Sequence, residues 1–197
     1  MSQVLSPYGL RPISLIGGQP FNGGAIREIP MTVNSATAIG AGDVVIIGAA
    51  SAGQPSAATA TPVNATTAGV IGVCVGVSFI DPVLKQQQFA NSLPAGAITA
   101  GYTNVMIRVN DDPDQLYMLQ SAGTVADTVL GKFCALANFG VGPYGNSTVN
   151  GVTPANTATL AMRIVGFASP AADAYRDLIV KFNQGTHMYL NTIVLAN

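Results

Sequence analysis

Residues 104–120, NVMIRVNDDPDQLYMLQ, constrain the fold more than any other stretch of the chain. In the first half, aliphatic side chains alternate with other residues, a period of two that places them on one face of a β-strand. These aliphatic residues are Val105, Ile107 and Val109. A second strand-like run follows at residues 115–120. Residues 111–114, Asp-Asp-Pro-Asp, suit a turn because Pro113 presets its own φ. The pattern predicts two core strands joined as a hairpin.

The turn at residues 111–114, here called the acidic corner, has two interpretations. Three of the nine acidic residues lie in it: Asp111, Asp112 and Asp114. Hard cations such as Ca²⁺ bind several carboxylate or carbonyl oxygens, so a cation site is one interpretation. The corner does not match the helix–loop–helix calcium pattern, and no second acidic cluster supplies further ligands. We therefore favour a structural turn or a charged contact at an interface, and in the latter case an arginine such as Arg108 or Arg163 could pair with one aspartate. We predict no metal and no cofactor.

The residues that build solvated helices are scarce, and this favours an all-β fold. Only 9% of the residues are charged, against about 25% in ordinary soluble domains. The chain has a single glutamate, no tryptophan, 22 glycines and 12 prolines. Abundant glycine, alanine, threonine and valine suit short strands joined by turns.

Further strands are predicted along the chain. They lie at residues 26–33 (an edge strand, because Pro30 interrupts it), 44–47, 69–79, 159–167 and 177–182. The strand at residues 69–79 should be central, with its large side chains on one core-facing side and its small ones on the other. A brief helix is predicted at residues 128–138, and residues 140–156 are predicted to form a loop. Residues 48–67 are low in complexity, typical of an exposed loop or a weak hairpin. Together these elements predict a single antiparallel β-sandwich or barrel, jelly-roll-like or β-tulip-like, over residues 26–183.

Both ends of the chain are predicted to extend from this core. Residues 1–25 contain prolines and glycines that oppose a long helix or a ladder strand, yet they are rich in apolar groups. They fit an extended N-terminal arm that docks on another surface. The alternative is an N-terminal strand that wraps its own domain. Residues 184–197 are predicted to form a C-terminal tail, either an added edge strand or a second docking arm.

Several function classes are disfavoured by what the sequence contains. The eight basic residues are scattered singly, so no stripe exists to neutralise a nucleic-acid backbone. No apolar run approaches the roughly 20 residues of a spanning helix. The first residues lack the features of a signal peptide, so we expect synthesis in the cytoplasm and a soluble protein. Cys74 and Cys134 fit buried fillers better than a disulfide.

Enzyme chemistry is also disfavoured. His187 is the single histidine, and we expect it to make a hydrogen bond at a surface or interface. A hydrolase triad or a zinc site requires histidines or acids in combinations that this chain does not offer. No phosphate-binding glycine loop is present. We therefore predict a protein that is not an enzyme, with no catalytic residue.

A series of short motifs carries a family resemblance. The chain begins with Pro7-Tyr8-Gly9-Leu10-Arg11-Pro12 and continues with Gly-Asp-Val-Val at residues 42–45 and Gly-Val-x-Val-Gly-Val at residues 72–77. The Asp-Asp-Pro-Asp corner and Ala-Tyr-Arg-Asp-Leu-Ile-Val-Lys-Phe-Asn at residues 174–183 follow. In this order the motifs resemble the capsid decoration, or cement, proteins of tailed bacteriophages.

The resemblance implies a non-enzymatic virion protein on the outer capsid surface, made in the cytoplasm of the bacterial host. Its partners would be the major capsid protein and further copies of itself, with a homotrimer favoured over a homodimer. The capsid-contact candidates lie in the N-terminal segment: Pro7, Tyr8, Leu10, Arg11, Pro12 and Ile13. Two alternatives remain, another virion component such as a tail or head-fibre module, and a carbohydrate-binding β-sandwich. Fibres usually show repeats, which this chain lacks, and sugar sites usually use exposed tryptophan.

Overall fold

The structure, a computed structural model, describes residues 4–21, 26–32, 35–51, 54–59 and 70–190. Within these ranges β-strands dominate, and the one helical element is a 3-10 turn at Asp127–Val129. In chain order the strands are β1 (Arg11–Leu15), β2 (Ile26–Pro30), β3 (Ile39–Gly40), β4 (Val44–Ser51), β5 (Gln54–Thr59), β6 (Val70–Ile80), β7 (Gln87–Ala90), β8 (Ser92–Leu93), β9 (Thr103–Asn110), β10 (Gln115–Gln120), β11 (Phe133–Ala137), β12 (Asn150–Ala155), β13 (Met162–Phe167) and β14 (Asp177–Phe182). The predicted all-β fold is confirmed.

The strands form two large antiparallel sheets and a small one. The first sheet has the order β1-β10-β14-β13-β11-β12, and the second has the order β2-β9-β6-β4-β5. Strand β7 pairs with the end of β6, and β3 pairs with β8 in the small sheet. The second sheet curls so that its edge strands, β2 and β5, approach each other. The result is an antiparallel β-sandwich with a half-barrel curl, as the sandwich or barrel prediction required.

Two hydrophobic cores share strands β4 and β6. The first lies between the two large sheets and contains Leu10, Val44, Val70, Val73, Tyr117, Leu119, Val125, Cys134, Leu136, Val149, Ala161, Met162, Ile164, Leu178, Val180 and Phe182. The second lies within the curl of the second sheet and contains Ile29, Met31, Ile39, Val45, Ile71, Cys74, Val77, Phe79, Leu93, Ala97, Val105, Ile107 and Val109. Since neighbouring residues of β4 and β6 alternate between the cores, these strands form the wall that the cores share.

Strand β6 is central, as predicted, but its large side chains do not all share one face. Ile71 belongs to the second core, Val73 to the first, and Val75 is only half-buried. The pairing of β6 with β4 and with β9 shifts register near Ile71 and again at Val75. Such bulges insert a residue and break the period of two. Both faces of β6 are therefore buried, and the prediction of a single core-facing side is wrong.

Glycine on β6 permits a close backbone approach. A Cβ at Gly72 would lie 1.9 Å from the carbonyl oxygen of Asn110, the last residue of β9. No side chain fits at such a distance, so only glycine allows β9 to end against β6.

The two strands around the acidic corner do not pair with each other. Strand β9 belongs to the second sheet and β10 to the first, so the corner carries the chain from one sheet to the other. The predicted strands are confirmed, and the predicted hairpin is wrong. The main-chain N–H of Gln115 bonds to the carbonyl of Asp112 at 3.2 Å, which closes the turn without pairing the strands. Turn chemistry alone does not distinguish the two arrangements.

The prediction of a free N-terminal arm is wrong for the described residues that precede and form β1. Strand β1 pairs with β10 at the edge of the first sheet, and Leu10 is 1% exposed in the first core. Proline is tolerated at position 12 because one side of an edge strand has main-chain groups that need no partner in the sheet. The pairing of β1 with β10 also shifts register just after Pro12. The alternative, an N-terminal strand that wraps its own domain, describes residues 10–15. Residues 1–3 and 22–25 of the predicted arm lie outside the described residues.

The C-terminal prediction is tested only in part. Residues 184–190 turn back onto the domain, where His187 forms an isolated parallel bridge with Val70. The remainder of the predicted tail, residues 191–197, lies outside the described residues. In the part of the chain that is described, no helix is long and apolar enough to cross a membrane.

Two local predictions between residues 128 and 156 are wrong. Residues 133–137, expected in a helix, form β11, where Cys134 and Leu136 point into the core and their neighbours do not. Residues 150–155, expected in a loop, form β12 and pair with β11. Both strands are short, and their apolar spacing fits either period, so the pairing partner determines the outcome. The alternative hairpin in residues 48–67 is present as the β4–β5 pair.

We expect Gly72→Ala to lower the free energy of unfolding by about 3 kcal/mol, because the main chain of β9 must move to admit a methyl group. Urea unfolding measures the change. The control is Gly123→Ala, since a Cβ at Gly123 meets no atom within 4 Å. Equal losses in the two variants would contradict the proposed close contact between β6 and β9.

Candidate functional site

A groove beside the N-terminal segment brings together three of the six predicted contact residues. Pro7, Tyr8 and Arg11 line one wall, and a loop at residues 142–148 lines the other. The full lining is Ser6, Pro7, Tyr8, Arg11, Gly142, Pro143, Tyr144, Asn146 and Thr148, around a volume of about 400 Å³. We call this the N-terminal groove. It places Pro7, Tyr8 and Arg11 opposite the exposed ring of Tyr144.

The other three predicted contact residues lie elsewhere. Pro12 lines a smaller adjoining groove of about 190 Å³, together with Tyr8, Leu10 and Arg11. Leu10 is in the first core and is not available to a partner. Ile13 is half-buried within β1, and its carbonyl accepts the N–H of Phe21 at 3.3 Å.

One turn holds both walls of the N-terminal groove. The carbonyl of Gly42 accepts the N–H of Leu10 at 3.0 Å, and the carbonyl of Ala41 accepts the N–H of Ser147 at 2.8 Å. Gly9, with φ of 75°, packs so closely that a Cβ there would lie 2.6 Å from the Cβ of Ser147. The two walls are therefore fixed relative to each other by main-chain bonds and by a glycine contact.

The buried carboxylate of Asp43 anchors this turn. Its Oδ1 accepts the hydroxyl of Ser147 at 2.5 Å, and its Oδ2 accepts the N–H of Gly40 at 2.7 Å. Burial raises the pKa of Asp43, and the two hydrogen bonds act against that rise. The Ser147 hydroxyl also accepts the N–H of Val149 at 3.1 Å. Both its donor and an acceptor site are therefore occupied by hydrogen bonds within the domain. Sequence reasoning missed this pair, which gave no signal beyond a lone Asp after glycine.

Tyr8 and Arg11 form the fixed part of the groove surface. The Tyr8 hydroxyl donates to Asp177 Oδ1 at 2.8 Å, and burial together with this carboxylate raises the pKa of Tyr8. The Arg11 guanidinium lies over the Tyr8 ring, 4.7 Å from its centroid. The side-chain amide of Gln120 holds the preceding segment through the N–H of Ser6 and the carbonyl of Val4. The wall is thus tied to β10 and β14.

Apolar side chains stand exposed around this fixed base. Tyr144 is 84% exposed and Val4 is 78% exposed, and Leu5 is also exposed. Exposed large apolar groups that share one surface are typical of interaction sites. A second exposed group, Val83, Leu84 and Phe89, lies at the turn between β6 and β7 and on β7.

The aspartates of the acidic corner point to different partners. Asp111 pairs with Arg27 at 3.0 Å and accepts the hydroxyl of Tyr189 at 2.9 Å. Asp112 accepts the main-chain N–H of Asp114, whose own carboxylate pairs with Lys181 at 2.6 Å. The ion-pair partners are thus Arg27 and Lys181, and the suggested pairing with Arg108 or Arg163 is wrong. Arg108 instead lies 3.9 Å from Glu28, and Arg163 lies over the ring of Phe133.

A buried polar cluster supports the corner from beneath. Asn110 donates to the side-chain oxygen of Gln115 at 3.2 Å and accepts the hydroxyl of Tyr117 at 3.2 Å. Gln115 in turn donates to the carbonyl of Ser14, which joins the corner to β1. The corner is therefore a structural junction between β9, β10 and the N-terminal strand.

His187 is buried, so its expected place at a surface is wrong. Its side chain is 0% exposed and contacts the rings of Phe182 and Tyr189. Burial lowers the pKa of His187, although the carboxylates of Asp111 and Asp112 act in the opposite direction. The apolar residues after His187 did not by themselves predict that residues 184–190 pack back onto the core.

Arg176 is a second residue whose role sequence reasoning missed. Its guanidinium lies 3.6 Å from the centroid of Phe167, pairs with Asp127 at 2.8 Å and donates to the carbonyls of Val125 and Ser169. Arg176 is only 4% exposed. It therefore fastens the loops beside the first sheet, a structural role.

The side chains that commonly bind metals or act as thiol nucleophiles are dispersed or buried among the described residues. Among them, no group of three or more histidine, cysteine, aspartate or glutamate side chains is placed to hold a metal ion. Cys74 and Cys134 are buried free thiols, and burial raises the pKa of each to about 12, which disfavours the nucleophilic thiolate. Their predicted role as buried fillers is confirmed.

No protein-family model, no curated protein and no solved structure matches the chain. The function is therefore inferred from the chain's own residues and their contacts.

We expect Leu10→Ala to lower the free energy of unfolding by about 2–5 kcal/mol, because it leaves a cavity in the first core. Val4→Ala, at a residue that is 78% exposed, is the control and should change stability by less than about 0.5 kcal/mol. Chemical unfolding measures both. A Leu10→Ala protein as stable as the control would restore the free-arm interpretation.

We expect millimolar Ca²⁺ to leave the thermal midpoint unchanged, because the three corner aspartates face separate partners. A bound cation would stabilise the folded state by mass action. Differential scanning fluorimetry with and without Ca²⁺ measures the midpoint. A rise that disappears in Asp112→Asn would identify the corner as a cation site.

Proposed function

We propose that this chain is a non-enzymatic structural protein of a tailed-bacteriophage virion, which binds the outside of the capsid and stabilises contacts between major capsid protein subunits. The N-terminal groove is the surface that makes the capsid contact. Two properties support this assignment. One is the exposed ring of Tyr144 in the groove, with Val4 and Leu5 exposed in the segment that leads into it, and the other is the rigidity of the groove base.

The N-terminal groove has the composition of an interaction surface. Aromatic residues and arginine are enriched where proteins bind one another, and Tyr8, Tyr144 and Arg11 lie together here. Because Tyr8 and Arg11 are already held in place, little side-chain freedom is lost when a partner binds. Tyr144, the most exposed of them, is the observation that carries the proposal.

The charge of the chain fits a protein that works inside an assembly. A net charge of −1 with few charged residues gives weak protection against association in a free monomer. Repeated copies on a symmetric shell need only modest affinity per contact, since avidity multiplies it. We propose a homotrimer as the bound form, with a homodimer as the second choice.

The motifs that carry the family resemblance have structural roles in this domain. Gly9 and Leu10 fix the N-terminal segment to the core, and Arg176 fastens loops at the first sheet. These motif residues therefore serve the architecture of the domain. The contact with the capsid is assigned to their exposed neighbours, Tyr8, Arg11 and Tyr144.

A carbohydrate-binding domain is the second candidate, and one observation favours it. Tyr144 presents an exposed ring next to Asn146 and Thr148, and aromatic rings beside polar side chains suit a sugar. Binding of the purified protein to a glycan array, lost in Tyr144→Ser, would support this candidate.

The proposal is tested with capsids of the encoding phage assembled without this protein. We expect the purified protein to cosediment with these capsids and to raise their disruption temperature, measured by light scattering. Tyr144→Ser and Arg11→Ser should each weaken binding about tenfold, the loss of one interface hot spot of about 1.4 kcal/mol.

Phe89→Ser is the matched control, since Phe89 is an aromatic residue, 69% exposed, in the second exposed group. It should bind as the unaltered protein does. Unchanged binding of Tyr144→Ser and Arg11→Ser would remove the groove from the contact. Absence of binding by the unaltered protein would overturn the proposed function.

A further inference from the structure

The single histidine of the chain occupies a site that suits only its neutral form. His187 Nδ1 accepts the main-chain N–H of Tyr189 at 3.3 Å. Nε2 therefore carries the proton. It lies close to the main chain of Ile71, a contact that raises the pKa of His187 and partly opposes the effect of burial but falls short of hydrogen-bond geometry. A buried donor without a partner is costly, so this placement is not explained by hydrogen bonding alone.

Protonation of this ring conflicts with the hydrogen bond that it makes. An imidazolium has an N–H at both nitrogens. The new Nδ1–H would face the N–H of Tyr189, so a donor would meet a donor where a bond now exists. The charge would also lie against the ring of Phe182, without direct access to water.

Charged groups around the ring only partly offset this conflict. From the acidic corner, Asp111 and Asp112 favour the imidazolium, and from β14 Lys181 opposes it. Asp111 is already paired with Arg27 on β2 and with the Tyr189 hydroxyl. Lys181 is paired with Asp114. The charge of Asp111 is therefore already paired, whereas Asp112 accepts only the main-chain N–H of Asp114.

The segment that carries the ring is bonded to the wall strand through its main chain and lies beside a second groove. The N–H of Met188 donates to the carbonyl of Val70 at 2.6 Å, and His187 bridges Val70 in parallel. Gln184 and Leu190, on either side of His187, line a groove of about 590 Å³. The exposed side chains of Ile16 and Leu130 line the same groove. Release of residues 184–190 would uncover Val70 and widen this groove.

We propose that His187 is a pH-sensitive latch, which holds residues 184–190 against β6 when neutral and releases them when protonated. The released state exposes apolar surface next to Ile16 and Leu130. The inference does not depend on the proposed function.

The direction of the pH dependence follows from the two protonation equilibria. In a released segment His187 has its ordinary pKa of 6.5, whereas burial lowers the pKa in the docked segment. The released state therefore binds more protons as the pH falls. Docking is at full strength above pH 6.5 and is lost as the pH falls through the lowered pKa.

The test uses the full chain and two NMR measurements. Because the sequence has one histidine, its imidazole ¹⁵N signals need no assignment. We expect the Nε2–H tautomer at pH 7.5 and a pKa below 6.5. Amide exchange should show that the protection of Met188, corrected for intrinsic exchange rates, falls about tenfold between pH 7.5 and 5.0. His187→Gln cannot titrate, and its amide oxygen can accept the Tyr189 N–H, so its Met188 protection should not change with pH.

Three results would overturn the latch. The first is the same loss of protection in His187→Gln. The second is titration of the imidazole in the unaltered protein while the exchange protection of the Met188 amide stays constant. This measurement does not depend on any variant folding. The third is a loss of pH dependence in Asp111→Asn, because the carboxylate would then be the switch. Retained pH dependence in Asp111→Asn supports His187.

Discussion

Strand β6 has no exposed residue, and this constraint organises the rest of the domain. One face of the strand packs in the core between the large sheets, and the other packs in the core inside the curl. Register shifts in its pairing with β4 and β9 allow the strand to serve both cores, and Gly72 allows β9 to end against it. Each fully buried Val or Ile contributes about 1.5–3 kcal/mol, so a strand buried on both faces concentrates stability in few residues. The two cores are therefore coupled through one strand.

The same strand fixes the surfaces to which we assign function. Cys74 of β6 bonds through its main chain to Gly42 and Asp43, and this turn holds both walls of the N-terminal groove. Val70, the first residue of β6, accepts the hydrogen bond from Met188 and so receives the segment that contains His187. A rigid strand thus positions a fixed contact surface and a segment that one proton can release. The acidic corner, which first suggested a metal site, is the junction that carries the chain between the sheets.

The sequence predicted the class of fold and most of its strands. The predictions failed for segments whose structure depends on which distant strand they pair with. The alternation in residues 105–109 and the run 177–182 are local signals, and both became strands as predicted. Pairing is not local. The runs on either side of the acidic corner join different sheets, and residues 133–137 became a strand because β12 and β13 flank them. Of the six predicted contact residues, three line the N-terminal groove, but Leu10 lies in the first core. The sequence could not show this, because an apolar residue between prolines can pack against its own domain or against a partner. Asp43, Ser147 and Tyr144 lay outside the prediction because distant loops bring them together.

The central claim is that this domain binds the outer face of a capsid through the N-terminal groove. A cryo-EM reconstruction of the virion measures it most directly, since it gives location, oligomeric state and orientation at once. We predict density for the domain on the outside of the shell, seated at a local symmetry axis, with Tyr8, Arg11 and Tyr144 against the major capsid protein. Absence of the domain from the shell, or a domain whose N-terminal groove faces solvent, would contradict the account.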